Sequence, residues 1–422
     1  MPAAVPAAAP RTRPRDRKRR IEEAAALAFA QHGYHAVGMQ DIAAAVGISA
    51  PALYRHFPNK YALFVRTAFT IAHRLIEDTD EAAARPLESA DEARAALDAL
   101  LDAVIATTVE LRATGGIYRW EGRYLEPEDR ELLTSEFRTL RRRFETAHGV
   151  YRPDVDDVDR RLLVLGALSV VASITAHHTT VAARTLRTLL AGAAWRALDG
   201  TLPATDAIAS PSPSDEGVAD VGPPASTVPE QAAEQGRRAQ LIDAAIRQFA
   251  ARGYNEATIE DIAVAVDLTP SGVYRHFDGK SALLLAACDR AAVSLERAVL
   301  RAREQAASPS ELMHGLVRAY VAHTFGNLEL TRVYFSEIAN LAPDEQRRLR
   351  ALQRAHVADW VAVLQAVRPD LGGREAAVLV HAGLGVVADQ TPMLPVRDAA
   401  AAERLACLVE IVLGVRGMPH PA

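Results

Sequence analysis

The chain has 422 residues, 49% of them apolar, with a formal net charge of −5 and two cysteines, Cys288 and Cys407. That length holds roughly two domains of about 200 residues each, and the apolar content can give each a core. Two cysteines exclude a disulfide framework and fit a reducing cytoplasm. The stretch from Leu162 to Ala176, interrupted by Ser169, Ser173 and Thr175, is too short for comfortable membrane crossing and reads as a buried helix.

The average charge argues against nucleic acid, but its distribution argues the other way for the N-terminal end. Residues 1–66 carry ten Lys/Arg and four Asp/Glu, residues 236–290 carry seven of each, and residues 200–235 carry six acids and no base. Residues 1–10 are rich in Ala and Pro, lack the apolar centre of a signal peptide and read as disordered. Residues 11–20 hold seven basic side chains against Asp16, among them Arg17, Lys18 and Arg19. They form either a solvated tail or an arm that follows phosphates or a minor groove. Its position just before the pair of short helices described next favours the arm.

Residues 21–31 have helical spacing of apolar residues, closed by Gly33. A short helix is expected from Met39 to Val46, a turn at Gly47, and a second short helix from Ala50 to Phe57 capped by Ser49. Two short helices around a tight turn form a helix-turn-helix, whose second helix enters a major groove. Leu53 and Phe57 share its core side, while Pro51, Ala52, Tyr54 and Arg55 point away.

The unit occurs twice. Residues 20–64 align without a gap on residues 240–284, with 18 of 45 positions identical, including Tyr54-Arg55-His56-Phe57 and Tyr274-Arg275-His276-Phe277. A repeat of this length means two copies of one structural unit. In the second copy Thr258 and Asp261 spell a capping box, Thr269 caps the second helix with Pro270 behind it, and Asp267 replaces Gly47 at the turn. The chain has only three lysines, and two of them, Lys60 and Lys280, occupy equivalent positions at the start of the next long helix. There an ammonium and free helix N–H groups can meet one phosphate.

These residues, DIAAAVGISAPALYRHFPNK and DIAVAVDLTPSGVYRHFDGK, resemble the DNA-binding domain of TetR-family transcriptional regulators, over about 45 residues of each half. The resemblance implies an all-α fold of two TetR-like modules, each a helix-turn-helix head followed by a helical ligand-binding and dimerisation domain. A two-module chain is similar to tandem TetR regulators of actinobacteria, some of which govern lipid and sterol uptake or breakdown. The expected division is a basic arm (1–20), first head (21–66), first helical domain (67–199), acidic linker (200–235), second head (236–286) and second helical domain (287–417). The linker holds six prolines, and its flexible-chain reach is on the order of 30–36 Å.

Long helices are expected at 61–84, 91–112, 127–147, 162–178 and 181–198, with 374–389 and 398–415 as counterparts of the last two. In the TetR fold these last pairs make a four-helix bundle, so one chain is expected to form an intramolecular pseudo-dimer, with further self-association left open. Between them lie the effector candidates. Arg119, Trp120 and Arg123 make either a salt-bridged helix junction or a pocket for an anionic, partly apolar ligand such as an acyl-CoA. His177, His323, Tyr334, Trp360 and His381 are the other candidates, each equally readable as core or surface. His177-His178 does not read as a metal site, because adjacent helical residues face different ways.

No phosphate-binding glycine loop, Cys/His metal spacing or GxSxG elbow appears. Neither an enzyme nor a cofactor or metal is expected. The partners expected are a double-stranded DNA operator and a small apolar or amphipathic effector, without a membrane, in the cytoplasm. Arg55 and Arg275 are the base readers, since Arg pairs bidentately with guanine. Ser271 and Gly272 face the positions of Pro51 and Ala52, so the operator is expected to be asymmetric. Tyr54, His56 and Lys60, with Tyr274, His276 and Lys280, position phosphates, and Gln40, Ser49, Thr258 and Thr269 flank them. The function expected is a repressor released by its ligand. Alternatively, only the first head reads DNA and the second serves as scaffold.

Overall fold

A computed structural model describes residues 14–117, 122–204 and 229–416; the side chains of residues 14–16, 123 and 229–234 lie outside this description. Among the described residues there are seventeen α-helices and no strand. None is long and apolar enough to cross a membrane. Compactness divides the chain into residues 1–80 with 107–140, and residues 81–106 with 141–422. This division differs from the one expected at the linker.

The first unit contains α1 (Pro14–His32), α2 (Met39–Val46), α3 (Ala50–Tyr54) and most of α4 (Lys60–Ala83). Ile21, Phe29, Ile42, Leu53, Phe57, Leu63 and Phe64 form its core, joined by Ile117, Leu125 and Leu133. Helix α5 (Ala90–Glu110) and α6 (Pro127–Tyr151) each begin in one unit and end in the other.

The second unit adds α7 (Asp157–Ala172), α8 (Ala183–Leu198) and the whole second module. Its head is α9 (Pro229–Arg252), α10 (Ile259–Val264), α11 (Pro270–Tyr274) and the start of α12 (Lys280–Gln305). Leu241, Phe249, Ile262, Val273, Phe277, Leu283 and Leu284 repeat the first core position by position, apart from conservative exchanges. Then follow α13 (Pro309–Gly326), α14 (Leu328–Glu337), α15 (Pro343–Val367), α16 (Gly373–Gln390) and α17 (Ala399–Leu413).

Helices α7 and α8 pack on α16 and α17 within this unit. Small residues let the backbones approach. A Cβ at Gly166 would come within 2.9 Å of Leu408, and one at Gly385 within 3.1 Å of the Ser173 Cβ. Polar groups tie the same face: Asp159 of α7 pairs with Arg404 of α17, and Gln390 donates to the Leu162 carbonyl at 3.4 Å. From α8, Arg196 donates to the Ile411 and Val412 carbonyls at the end of α17. Burial lowers its guanidinium pKa to about 10, helped by the neighbouring Arg368 charge.

Several expected boundaries need correction. The basic run does not wait outside the fold: Pro14 to Arg20 form the first turns of α1, because Pro is favoured at N1 and Arg and Lys are good helix formers. The first helix of the second head likewise begins ahead of residue 236, at Pro229, with Glu, Gln and Ala as the helix formers that follow. Helix α7 starts five residues early, where the Asp156 carboxylate accepts from the Val158 and Asp159 amides at 2.9 and 2.8 Å. It ends at Ala172, and a 3-10 turn over Ser173–Ala176 places His177 in extended backbone. The Ser173 and Thr175 hydroxyls bond the Val170 and Ala172 carbonyls in that turn. The acidic stretch 205–228 lies outside the described residues.

A second repeat becomes visible only in the fold. Arg152-Pro153-Asp154 and Arg368-Pro369-Asp370 follow α6 and α15. Each Arg holds the Asp two residues on and donates to the end of the last helix of its module, at Asp199 O (3.1 Å) and Leu413 O (3.2 Å).

Candidate nucleic-acid interface and effector residues

The two heads build the same surface with different caps. In the first, Asp41 accepts from the Gly38 amide at 2.8 Å; glycine has no side chain to return the bond. In the second, the Thr258 hydroxyl accepts from the Asp261 amide at 3.1 Å, and Asp261 accepts from the Thr258 amide and hydroxyl and from Arg252. Ser49 caps α3 by accepting from the Ala52 amide at 3.4 Å, and Thr269 caps α11 through the Gly272 amide at 3.2 Å. The turn before each helix is left-handed, at Gly47 (φ 72°) and at Asp267 (φ 55°). Asp267 is the one non-glycine residue with positive φ among those described, a conformation Asp tolerates at some cost.

Helix α3 is shorter than expected, ending at Tyr54 rather than Phe57, and α11 ends at the equivalent Tyr274. The following residues form a turn that brings Phe57 and Phe277 inward. Pro51, Tyr54 and Arg55 are exposed, as are Ser271, Tyr274 and Arg275; Ala52, His56, Gly272 and His276 are half-buried. Tyr54 and Tyr274 keep 51% and 55% of their surface in solvent, unusual for aromatic side chains. Among the described residues, no hydrogen bond or ion pair engages the Arg55 or Arg275 guanidinium. Gln40 is exposed on α2, and its counterpart is the exposed acid Glu260.

The two lysines have a structural task that their place at a helix start does not announce. Lys60 Nζ donates to the Tyr34 and Val37 carbonyls at 2.9 and 3.1 Å and lies 4.4 Å above the Tyr34 ring. Lys280 Nζ donates to Asn255 and Ala257 at 3.3 and 3.0 Å, again 4.4 Å above a tyrosine, Tyr254. Desolvation lowers both ammonium pKa values. Two of each ammonium's three donors therefore hold the loop between α1 and α2, or between α9 and α10. Likewise Lys18 lies over Phe57 and its counterpart Arg238 over Phe277, with Arg238 also bonding the His276 carbonyl. Arg19 pairs with Glu23 along α1.

Arg17 is exposed on α1 beside Arg19 and Arg20. Replacing these three by Gln is expected to lower the slope of log K against log salt by as much as 0.9 for each phosphate no longer neutralised, about 2–3 units. Operator binding measured across a salt series checks this.

The effector candidates do not converge. Arg119 and Trp120 lie outside the described residues, as does the Arg123 side chain, although its backbone belongs to a 3-10 turn. His177, 7% exposed, stacks on His381 of α16 with ring centroids 4.0 Å apart and planes 8° from parallel. The expectation that His177 sits on a helix beside His178 fails, because α7 ends at Ala172 and the turn after it leaves His177 extended. Tyr334 packs against the second head, donating to the Leu349 carbonyl at 3.2 Å. His323 and Trp360 fall together in the second module, in the company of Tyr320 and His356. No group of three or more potential metal ligands occurs among the described residues.

Burial pushes the His356 pKa down to about 4, opposed by Asp359 and reinforced by His323. Because the folded value lies below the ordinary 6.5, protons favour the unfolded chain between those values. Stability of the second unit is therefore expected to fall as pH drops from about 6.5 toward 4, by about 2 kcal/mol at pH 5. Denaturant titration of wild type and His356→Phe checks this: the acid loss should shrink in the variant.

The family description "bacterial regulatory proteins, tetR family" matches residues 21–67 and again 241–287, and the "tetracyclin repressor-like, C-terminal domain" matches residues 306–387. The chain belongs to the TetR family. Both heads are thus DNA-binding domains of the TetR type, and the second carries a TetR-type C-terminal domain behind it. It is 34% identical over 79 residues to the HTH-type transcriptional activator FasR of Mycolicibacterium smegmatis, a match covering 19% of this chain and 36% of FasR. The chain thus spans about a third of that relative's length. It is 29% identical over 164 residues to the HTH-type transcriptional regulator BetI of Brucella melitensis, covering 38% of this chain and 81% of BetI. A TetR-family regulator from Bordetella parapertussis has a similar structure, with 24% identity, 42% of this chain and 94% of that one covered, and a TM-score of 0.39.

Proposed function

We propose that this TetR-family chain is a cytoplasmic repressor in which one polypeptide does the work of two subunits. Its heads read the two halves of an asymmetric operator, and a small apolar or amphipathic effector releases them. The observation that carries this reading is the packing of α7 and α8 on α16 and α17 within one chain, backed by glycine contacts and by bonds from Asp159 and Arg196. A surface that a homodimer would offer to a second copy is covered here by the chain itself. Both recognition helices keep an exposed Tyr-Arg pair, which supports two reading heads over one. Effector control follows from differential binding to two states of the helical domains.

Sedimentation at nanomolar concentration, with and without a footprinted operator, tests this. A 45.5 kDa species that binds one operator as a single chain is expected. An obligate species of twice that mass would overturn it.

A further inference from the structure

Three rings of the second module face one another inside the helical domain. Tyr320 of α13 and His356 and Trp360 of α15 have centroids 5.9 to 6.2 Å apart, with Trp360 edge-on to both others. Beside them the Ser294 hydroxyl meets His323 Nδ1 at 3.3 Å. Trp360 is 1% exposed, yet its indole Nε1 has no hydrogen-bond partner, and neither has His356 Nε2. An indole N–H can only donate, and native interiors leave few such groups unpaired. Two orphaned nitrogens in one cluster call for something that bonds to them.

The first module supplies the contrast. Its α5 is capped by Ser89 as α13 is by Ser308, both accepting from a Glu amide at 3.2 Å, and its Arg152 answers Arg368. Counting from those anchors, Tyr320, His323, His356 and Trp360 correspond to Leu101, Val104, Leu140 and Phe144, all apolar and buried. The fold therefore does not need polar groups at these positions, and they were placed in one module alone.

We propose that the Tyr320–His356–Trp360 cluster is the polar end of an effector site taking an uncharged, mainly apolar ligand with one hydrogen-bond acceptor. The inference rests on the ligand-responsive function proposed for the chain and assigns sensing to the second module. The ring walls suit an apolar body, the Trp360 N–H takes a carbonyl, ether or hydroxyl oxygen, and His356 orients it. An anion is disfavoured: the charge nearest the imidazole is Asp359, itself paired with Arg303 at 3.2 Å, and burial keeps His356 and His323 neutral near pH 7.

The test titrates the full chain, labelled at the tryptophan indole nitrogens, with 2-acetylnaphthalene, 2-ethylnaphthalene and 2-naphthoate at pH 7.5. The ketone should shift the Trp360 N–H resonance downfield and bind at least tenfold tighter than the hydrocarbon or the carboxylate. Trp360→Phe should lose that preference. His356→Phe, which keeps the indole reporter, should weaken ketone binding even if Trp360→Phe fails to fold. A Trp360 resonance unmoved by all three probes, or a carboxylate bound as tightly as the ketone, would overturn the proposal. Operator binding by the same samples separates the two readings: if it persists while Trp360 stays silent, only this site falls.

Discussion

Arg55→Ala is expected to relax recognition of one half of the operator, and Arg275→Ala of the other, each by about 1–3 kcal/mol. Both guanidinium groups are exposed just past a recognition helix, and no hydrogen bond or ion pair holds either within the described residues. A bidentate Arg–guanine pair is therefore expected to meet little competition from the protein itself. The neighbouring positions differ: Pro51 and Ala52 offer apolar contact, for instance to a thymine methyl, where Ser271 offers a hydroxyl already 3.0 Å from Thr269 Oγ1. The half-sites should therefore share the base pair read by Arg and differ beside it. Base-by-base substitution across a footprinted operator, with each variant, measures this. The double variant should lose sequence preference almost entirely while retaining salt-dependent affinity. If both single variants weakened the same half-site, the two heads would not divide the operator. A perfect inverted repeat that bound more tightly than the natural site would count equally against the asymmetry.

Much of this surface was legible in the sequence because helix-turn-helix heads are fixed by local chemistry. Ser49, Thr258, Thr269 and Gly47 act at fixed distances along the chain, so spacing alone assigned their tasks. The core side of Leu53 was read from helical periodicity, and Phe57 with it, although Phe57 reaches the core through the turn after Tyr54 rather than on the helix. Lys60 and Lys280 mark the limit. Their repeat-equivalent placement was visible, but their carbonyl partners lie 23 to 26 residues away, and no local pattern announces such a bond. A positive charge at a helix start reads as a phosphate ligand until the loop in front of it is seen.

The effector candidates were less legible, because a buried His or Trp in a helical domain has no spacing rule. His177, Tyr334 and Trp360 looked alike in the sequence, yet one stacks across helices, one holds a head and one carries an orphaned N–H. The contrast with Leu101, Val104, Leu140 and Phe144 could have separated them. It needed an alignment of the helical domains, and those halves share too few residues to align without the Ser89/Ser308 and Arg152/Arg368 anchors.

Gly166→Leu is expected to destabilise the second unit by about 1–3 kcal/mol, the usual cost of forcing a larger side chain into a packed core. The glycine lies on α7 where Leu408 of α17 closes over it, and even a methyl group there would approach a Leu408 methyl to 2.9 Å. Leu408 is fully buried, so it has little room to turn away. Leu408→Ala alone should cost about 2–5 kcal/mol through the cavity it leaves. The two changes together should cost less than their sum, because the new leucine fills the space vacated by the old one. A coupling of about 1–2 kcal/mol in denaturant unfolding is the expected sign that the two side chains touch. This cycle probes the α7–α17 packing in solution without DNA or effector, so it stands apart from operator reading. Single-variant costs that add to within about 0.5 kcal/mol would mean that the two residues do not touch. The intramolecular pairing of modules would then lose its physical basis.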